Sequence, residues 1–185
     1  MPCDIATGRT EACKESVGGL RNIYIGNYVE GLYADATTAA NLDTDEQIIG
    51  LTTSLVVYKF ELRGDNNTFE ETNENSRDNG TSFWTQTGAI VLKKQDAATQ
   101  KALKLLSYGR PHILIEDYNG NFRIAGLQNG VEVSVSTATG GAMGDLNGYN
   151  LSFEGKEKEP AYFVDSAIVG GSGDAIEVNS TVINP

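Results

Sequence analysis

The sequence predicts a mainly β protein, a β-sandwich or partial barrel with one flanking α-helix. Three observations support this fold class: strand-forming residues alternate with polar ones in several short segments, Asn-Gly pairs separate these segments, and one segment alone has helical periodicity. The composition agrees, since the 185 residues include 21 Gly and only 4 Pro. Such a mixture favours strands joined by tight turns.

The first half of the chain holds the longest strand signals. A first strand is predicted over residues 23–29, and residues 31–47, small and acidic, are expected to form a loop with a helical turn. Residues 48–62 give the longest signal, and the end of this segment alternates. The alternation places four apolar residues on one face: Val56, Tyr58, Phe60 and Leu62.

A polar and charged segment, residues 63–80, separates this signal from a second long strand predicted over residues 81–94. Two strands joined in this way predict a long hairpin with an extended, solvated tip. Loops of this length are uncommon in compact domains and are usually functional or disordered.

One helix is predicted over residues 96–106. Asp96 is its expected N-cap, and Gly109 and Pro111 end it. Because its apolar side is narrow, the helix should lie against a sheet. The expected apolar stripe is Ala98, Ala102, Leu105 and Leu106, with Leu103 beside it.

The chain after the helix predicts a succession of hairpins. Asn119-Gly120 and Asn129-Gly130 mark turns, and the strands between them bring the total to seven to nine. Nothing marks a domain boundary, so residues 1–185 are predicted to form one domain. Residues 1–20 are expected to be an N-terminal arm and residues 170–185 a C-terminal arm.

The net charge of −11 excludes some classes of partner. Proteins that grip nucleic acid or an anionic membrane need clustered Lys and Arg. The start of the chain lacks the pattern of a signal peptide and no stretch is apolar enough to span a membrane, so a cytoplasmic origin is expected. Cys3 and Cys13 are too few for a disulfide framework; free thiols are the expectation, with local pairing left open.

The sequence predicts no catalytic, metal or cofactor site. His112 is the single histidine and enters an apolar strand, where packing is its expected role. Residues 117–128 begin like a calcium loop, but the glycine is misplaced and the twelfth residue is Gln128. The Gly-rich segments 139–144 and 170–173 lack the strand and helix that flank a phosphate-binding loop.

Residues 81–160 resemble the tail tube proteins of long-tailed bacteriophages. The elements that carry the resemblance are the strand ending Ile90-Val91-Leu92, the capped helix 96–106, the two Asn-Gly hairpins, and a small-residue loop that leads into residues 145–153. The resemblance implies a virion protein assembled in the host cytoplasm. Six subunits would close into a ring, and rings would stack into a tube through which genomic DNA passes without specific binding.

The resemblance also implies roles for particular residues. The partners would be further copies of the chain and other tail proteins, such as a terminator, a hub or a sheath, and the two arms would strap subunits together. Acidic side chains would line the channel and repel phosphates. The lumen-facing candidates are Glu61, Glu70 and Glu71, and the candidates in a hairpin loop that reaches the next ring are Asp65, Asn66, Asn67, Glu74, Arg77 and Asp78.

Three alternatives remain open at this point. Another tail ring or the tube of a contractile injection device would have the same pattern. An adhesin or carbohydrate-binding module would need an exposed aromatic platform, whereas Trp84, the single Trp, lies in the middle of a predicted strand. An enzyme would need a pocket with a perturbed pair of carboxylates.

Overall fold

A computed structural model describes residues 7–11, 13–179, 181 and 183, and it confirms the predicted mainly β fold. Two sheets stack face to face, with a helix at their side. The strands are β1 (Leu20–Gly26), β2 (Leu55–Glu61), β3 (Thr68–Ser76), β4 (Thr81–Lys93), β5 (His112–Asp117), β6 (Phe122–Ala125), β7 (Glu132–Ala138), β8 (Gly148–Glu157), β9 (Tyr162–Val164), β10 (Val169–Gly170) and β11 (Ile176–Asn179); the helices are α1 (Leu32–Ala36) and α2 (Ala97–Leu106).

The two sheets differ in size. Sheet A has seven strands in the order β10-β11-β2-β1-β5-β6-β9, and sheet B has four in the order β3-β4-β8-β7. All neighbours in sheet B are antiparallel. Most large apolar side chains of sheet B lie on the face toward sheet A, whereas Phe83 and Val91 lie on the other face.

Two apolar clusters hold the fold together. The first lies between the sheets and includes Ile23 and Ile113 of sheet A and Phe153 of sheet B. The second lies on the opposite face of sheet A, where Leu32 and Ala36 of α1 pack on it. Sheet A is thus buried on both faces, whereas sheet B is buried on one.

Residues 48–62 form a shorter strand than predicted. Only Leu55–Glu61 is strand, because the carboxylate of Asp35 accepts hydrogen bonds from the backbone N–H groups of Thr52 and Thr53 and bends the chain before it. Phe60 and Leu62 reach the core as expected. Val56 and Tyr58, on the same face, remain exposed because the smaller sheet B does not cover that part of sheet A.

The predicted hairpin has a different second strand, since the segment 63–80, expected to be an extended solvated tip, contains β3, and β3 rather than residues 48–62 pairs with β4. β3 pairs along its whole length with β4, so the hairpin connection is the short turn at residues 77–80. The strand was hidden because its one apolar residue is Phe69. An edge strand with one half-buried face needs few apolar residues.

The predicted helix is confirmed with its cap. The Asp96 carboxylate accepts a hydrogen bond from the Thr99 N–H at 2.8 Å. Hydrogen bonds from the side chain and backbone of Thr99 hold the pKa of Asp96 below its ordinary value. The expected stripe is partly wrong. Leu103 is the buried residue of α2, whereas Leu105 is 63% exposed.

The two arms differ. Residues 7–11 and 13–19 contain no helix or strand, and Asn119 holds the backbone of Val17 by two hydrogen bonds. The C-terminal arm is not free, because β11 joins sheet A in parallel with β2.

Cys13 is exposed, and Cys3 lies outside the described residues. No helix in the described part of the chain is long and apolar enough to cross a membrane.

Candidate assembly surface

The outer face of sheet B, which points away from sheet A, is mostly polar. Its apolar side chains are Phe83, Ala89, Val91 and Ala138, and the Lys156 ammonium lies over the Phe83 ring. The strand registers bring Ser and Thr side chains of all four strands onto this face, together with four glutamates and two lysines. Glu154 and Lys156 form an ion pair at 3.7 Å. The charged residues of this face are Glu70, Glu74, Glu132, Glu154, Lys93 and Lys156, a net charge of −2.

The two edges of sheet B are open. They are β3, with nine residues, and β7, with seven, and neither has a second neighbour among the described residues. The edges of sheet A are blunted instead. β10 has two residues, and Ile48 covers β9 through hydrogen bonds with Phe163 and Asp165. Long open edges offer rows of unpaired N–H and C=O groups to another strand.

The structure separates the three acidic lumen candidates. Glu70 is exposed on the outer face of sheet B. Glu71 points the other way: its carboxylate accepts a hydrogen bond from the Ala161 N–H at 2.6 Å and lies 3.6 Å from the Arg123 guanidinium. Glu61 lies in sheet A.

The hairpin-loop candidates lie at two ends of β3. Asp65 and Asn66 are exposed before the strand, and Asn67 is buried there, where its side chain accepts a hydrogen bond from the Val91 N–H. Arg77 and Asp78 are exposed in the turn at the far end. The nine strand residues between them span roughly 30 Å.

The turn end of this hairpin projects beyond sheet B. β8 pairs with β4 only from Trp84 onward, so residues 74–83, the projecting hairpin, have no third strand beside them. Their three outermost residue pairs extend roughly 10 Å past β8. Glu74 accepts a hydrogen bond from the Thr85 hydroxyl at 2.7 Å.

The opposite end of sheet B is a basic rim, defined here as Lys93, Lys94 and the loop 139–147. Lys94 has φ 63, and its N–H donates to the Asn147 carbonyl at 2.7 Å. Asp145 braces the loop by accepting hydrogen bonds from the Gly141 and Ala142 N–H groups, which lower its pKa. Met143 is fully exposed at the loop tip.

Among the described residues, the buried side chains of His112, Glu116 and Glu157 are each hydrogen-bonded within the fold. His112 accepts a hydrogen bond from the Val29 N–H at its Nε2, so its Nδ1 carries the proton that it donates to the Gly126 carbonyl. Glu116 accepts from the Asn22 amide and the Tyr24 hydroxyl. Burial raises the pKa of Glu157, which accepts from the Asn129 N–H.

These contacts show packing and bracing roles for the buried groups. In the part of the chain that the structure describes, no three His, Cys, Asp or Glu side chains are placed to hold a metal ion. Trp84 is half-buried on the inner face of sheet B.

No pattern within a single strand reveals the outer face of sheet B. The polar positions of four strands become one surface only when their pairing is known. The alternation of Glu132, Ser134 and Ser136 with Val133 and Val135 was the available signal.

Comparison with known proteins does not assign the chain to a family. No protein-family model matches the sequence, and no curated protein or solved structure gives a significant match. The function must therefore be inferred from the geometry and charge of the sheets.

Proposed function

We propose that the chain is a structural subunit whose copies join side by side through sheet B into rings, and that the rings stack into a tube of the kind found in long-tailed phages. The observation that carries the proposal is the pair of open edges on sheet B, beside the blunted edges of sheet A. The subunit would lie in a virion tail, with other tail proteins at its ends.

The strand directions favour joining β3 of one copy to β7 of the next. With four antiparallel strands, β3 and β7 run in opposite directions, so this junction is again antiparallel. β3 carries Glu70 and Glu74 on its outer face, and these disfavour a β3–β3 junction by repulsion. A junction between two different edges is head-to-tail, and head-to-tail contacts close into rings.

The faces of sheet B then determine what lines the channel. The inner face is committed to the core, so the polar outer face is left for the channel wall. Its net negative charge would repel DNA phosphates, so that the DNA does not adhere to the channel wall. Glu70 belongs to this wall, whereas Glu61 and Glu71 do not.

The size of such a wall suits DNA. Six copies of the four-stranded sheet, at a strand spacing of about 4.8 Å, give a wall roughly 115 Å around and 37 Å across, and strand tilt widens it. The width of a DNA duplex is smaller than this backbone diameter, so a duplex would fit through the channel. The proposed role is structural and needs no catalytic group.

Electron microscopy of concentrated protein tests the proposal first, with rings that have a central channel as the expected result.

Cross-linking then identifies the junction. Two single-cysteine chains, Thr72→Cys in β3 and Ser134→Cys in β7, are made with Cys3 and Cys13 replaced by Ser. Both positions are exposed on the outer face. A short bismaleimide should link the two chains only when they are mixed.

Each chain by itself is the matched control. Cross-links in Ser134→Cys alone would indicate a two-fold β7–β7 dimer and contradict the ring. Monomeric particles at every concentration would contradict self-assembly itself.

A further inference from the structure

We propose that Asn79, in the turn of the projecting hairpin, is a site of spontaneous covalent modification, where the side-chain amide is lost as ammonia and the residue becomes aspartate or isoaspartate. The inference is independent of the proposed assembly, because it requires only the folded chain. Asn-Gly pairs begin at residues 79, 119, 129 and 147, and the structure leaves the first of them exposed to this reaction while it protects the other three.

The reaction joins the Asn side chain to the backbone nitrogen of the next residue. The Gly80 nitrogen loses its proton to hydroxide and attacks Cγ of Asn79. A bond forms between this nitrogen and Cγ, the bond from Cγ to Nδ2 breaks, and Nδ2 takes up a proton and leaves as ammonia. Water then opens the resulting succinimide at either carbonyl carbon, which gives aspartate or isoaspartate. Glycine favours the attack because it has no Cβ and its backbone turns freely.

Both reacting groups are accessible at Asn79 and Gly80. The turn at residues 77–80 is exposed, and the Asn79 side chain makes no hydrogen bond to the described residues. Only the backbone N–H of Asn79 is held there, by the Ser76 hydroxyl at 3.3 Å. The N–H of Gly80 likewise has no acceptor in the described part of the chain, and a Cβ placed on Gly80 would meet no atom within 4 Å.

The pair at Asn119 is held at both reacting groups. The Asn119 side chain accepts a hydrogen bond from the Val17 N–H at 3.0 Å and donates one to the Val17 carbonyl at 2.7 Å. The Gly120 N–H donates to the Asp117 carbonyl at 3.2 Å. Ring closure here requires that these hydrogen bonds open first.

The remaining two pairs are also held by the fold. Asn129 donates from its side-chain amide to the Lys156 carbonyl at 3.0 Å, and the Gly130 N–H donates to a backbone carbonyl at the same distance. Asn147 is exposed, but Gly148 is buried in β8 between β4 and β7. Attack by its nitrogen requires that the strand leave the sheet.

The modification changes the hairpin in two ways. Both products add a carboxylate to a turn that already carries Asp78, and isoaspartate also adds a methylene to the main chain. The longer main chain disturbs the pairing of Ser76 with Thr81, which closes the turn. A two-stranded ribbon is marginally stable, so the modified hairpin end should open while the rest of sheet B stays paired.

Peptide mapping by mass spectrometry tests the inference on the folded wild-type chain, incubated in a mildly alkaline buffer. Trypsin releases residues 78–93, in which Asn79 is the one asparagine. This peptide should gain the mass that accompanies exchange of NH2 for OH, and electron-transfer fragmentation should identify isoaspartate in it. The gain should be about tenfold faster than at Asn119, Asn129 or Asn147, where hydrogen bonds must first open.

Incubation of the same chain in urea separates the effect of the fold from that of the sequence. All four pairs should then react at similar rates, because the contacts that protect three of them are lost. Asn79→Gln is the matched variant, since its longer side chain would have to close a larger ring, and its peptide should keep its mass. Equal rates at the four sites of the folded chain would overturn the inference, and so would a preference for Asn79 that persists unchanged in urea.

Discussion

At the scale of single residues, two adjacent glutamates of β3 differ completely. Glu70 is exposed on the outer face, whereas the side chain of Glu71 is 12% exposed and bonded to Ala161 and Arg123. Both residues are lumen-facing candidates in the sequence. The alternation of a strand shows that neighbouring residues point to opposite faces, but it does not show which of the two faces is buried. The partners of Glu71 are distant in the chain, since Ala161 lies ninety residues away and Arg123 lies in β6 of sheet A, and no local pattern reveals them.

Glu71→Gln should therefore destabilise the protein by about 1–3 kcal/mol, because Ala161 and Arg123 lose a charged acceptor in a nearly buried position. Glu70→Gln, one residue away and exposed, should change the free energy of unfolding by less than about 0.5 kcal/mol. Urea denaturation of both variants measures the difference. Equal effects would contradict the assignment of faces.

His112 makes the stability depend on pH. Burial lowers its pKa below the ordinary value of 6.5, and the Val29 N–H occupies the nitrogen that a second proton would need. The unfolded chain takes up a proton near pH 6.5 and the folded chain does not, so the stabilising effect is full above that pH and is lost as the pH falls toward the lowered pKa. The loss should approach about 1.4 kcal/mol per pH unit.

Urea denaturation at pH 7.5 and 5.5 measures this dependence. His112→Gln, which does not titrate, is the control and should lose most of it. A wild-type stability that is flat between these two pH values would count against a buried neutral imidazole.

At the scale of elements, the sequence predicted best where a segment carries its own signal. β4 and α2 were predicted nearly to the residue, because long alternation and an Asp cap with a terminal Gly are local properties. β3 was missed and residues 48–54 were wrongly included in a strand, because pairing with β4 and the carboxylate of Asp35 decide those segments from a distance. The location of β11 beside β2 likewise depends on a partner far along the chain.

The corrected face of α2 gives a test at this scale. Leu103→Ala should cost about 2–5 kcal/mol of unfolding free energy, since the side chain is buried between the helix and the sheets. Leu105→Ala, in the same helix and exposed, should cost less than about 0.5 kcal/mol. Thermal or urea unfolding distinguishes the two, and the reverse order would restore the stripe expected from the sequence.

At the scale of the whole molecule, the fold class was predictable and the candidate surface was not. Gly, Asn-Gly turns and alternation together indicate a sandwich, and the structure agrees. The assembly surface needs the strand order of sheet B, which joins residues from 68 to 157. The outer face of sheet B carries a net charge of −2, a small part of the −11 of the whole sequence.

The open edges of sheet B have a kinetic consequence. If copies join as proposed, a subunit added to an incomplete ring gains one junction, whereas the subunit that closes the ring gains two. Partial rings would then be short-lived, and assembly would begin slowly and rise steeply with concentration. A preformed ring that presents matching edges or rims would remove this delay, so the place where assembly is seeded would determine where tubes grow.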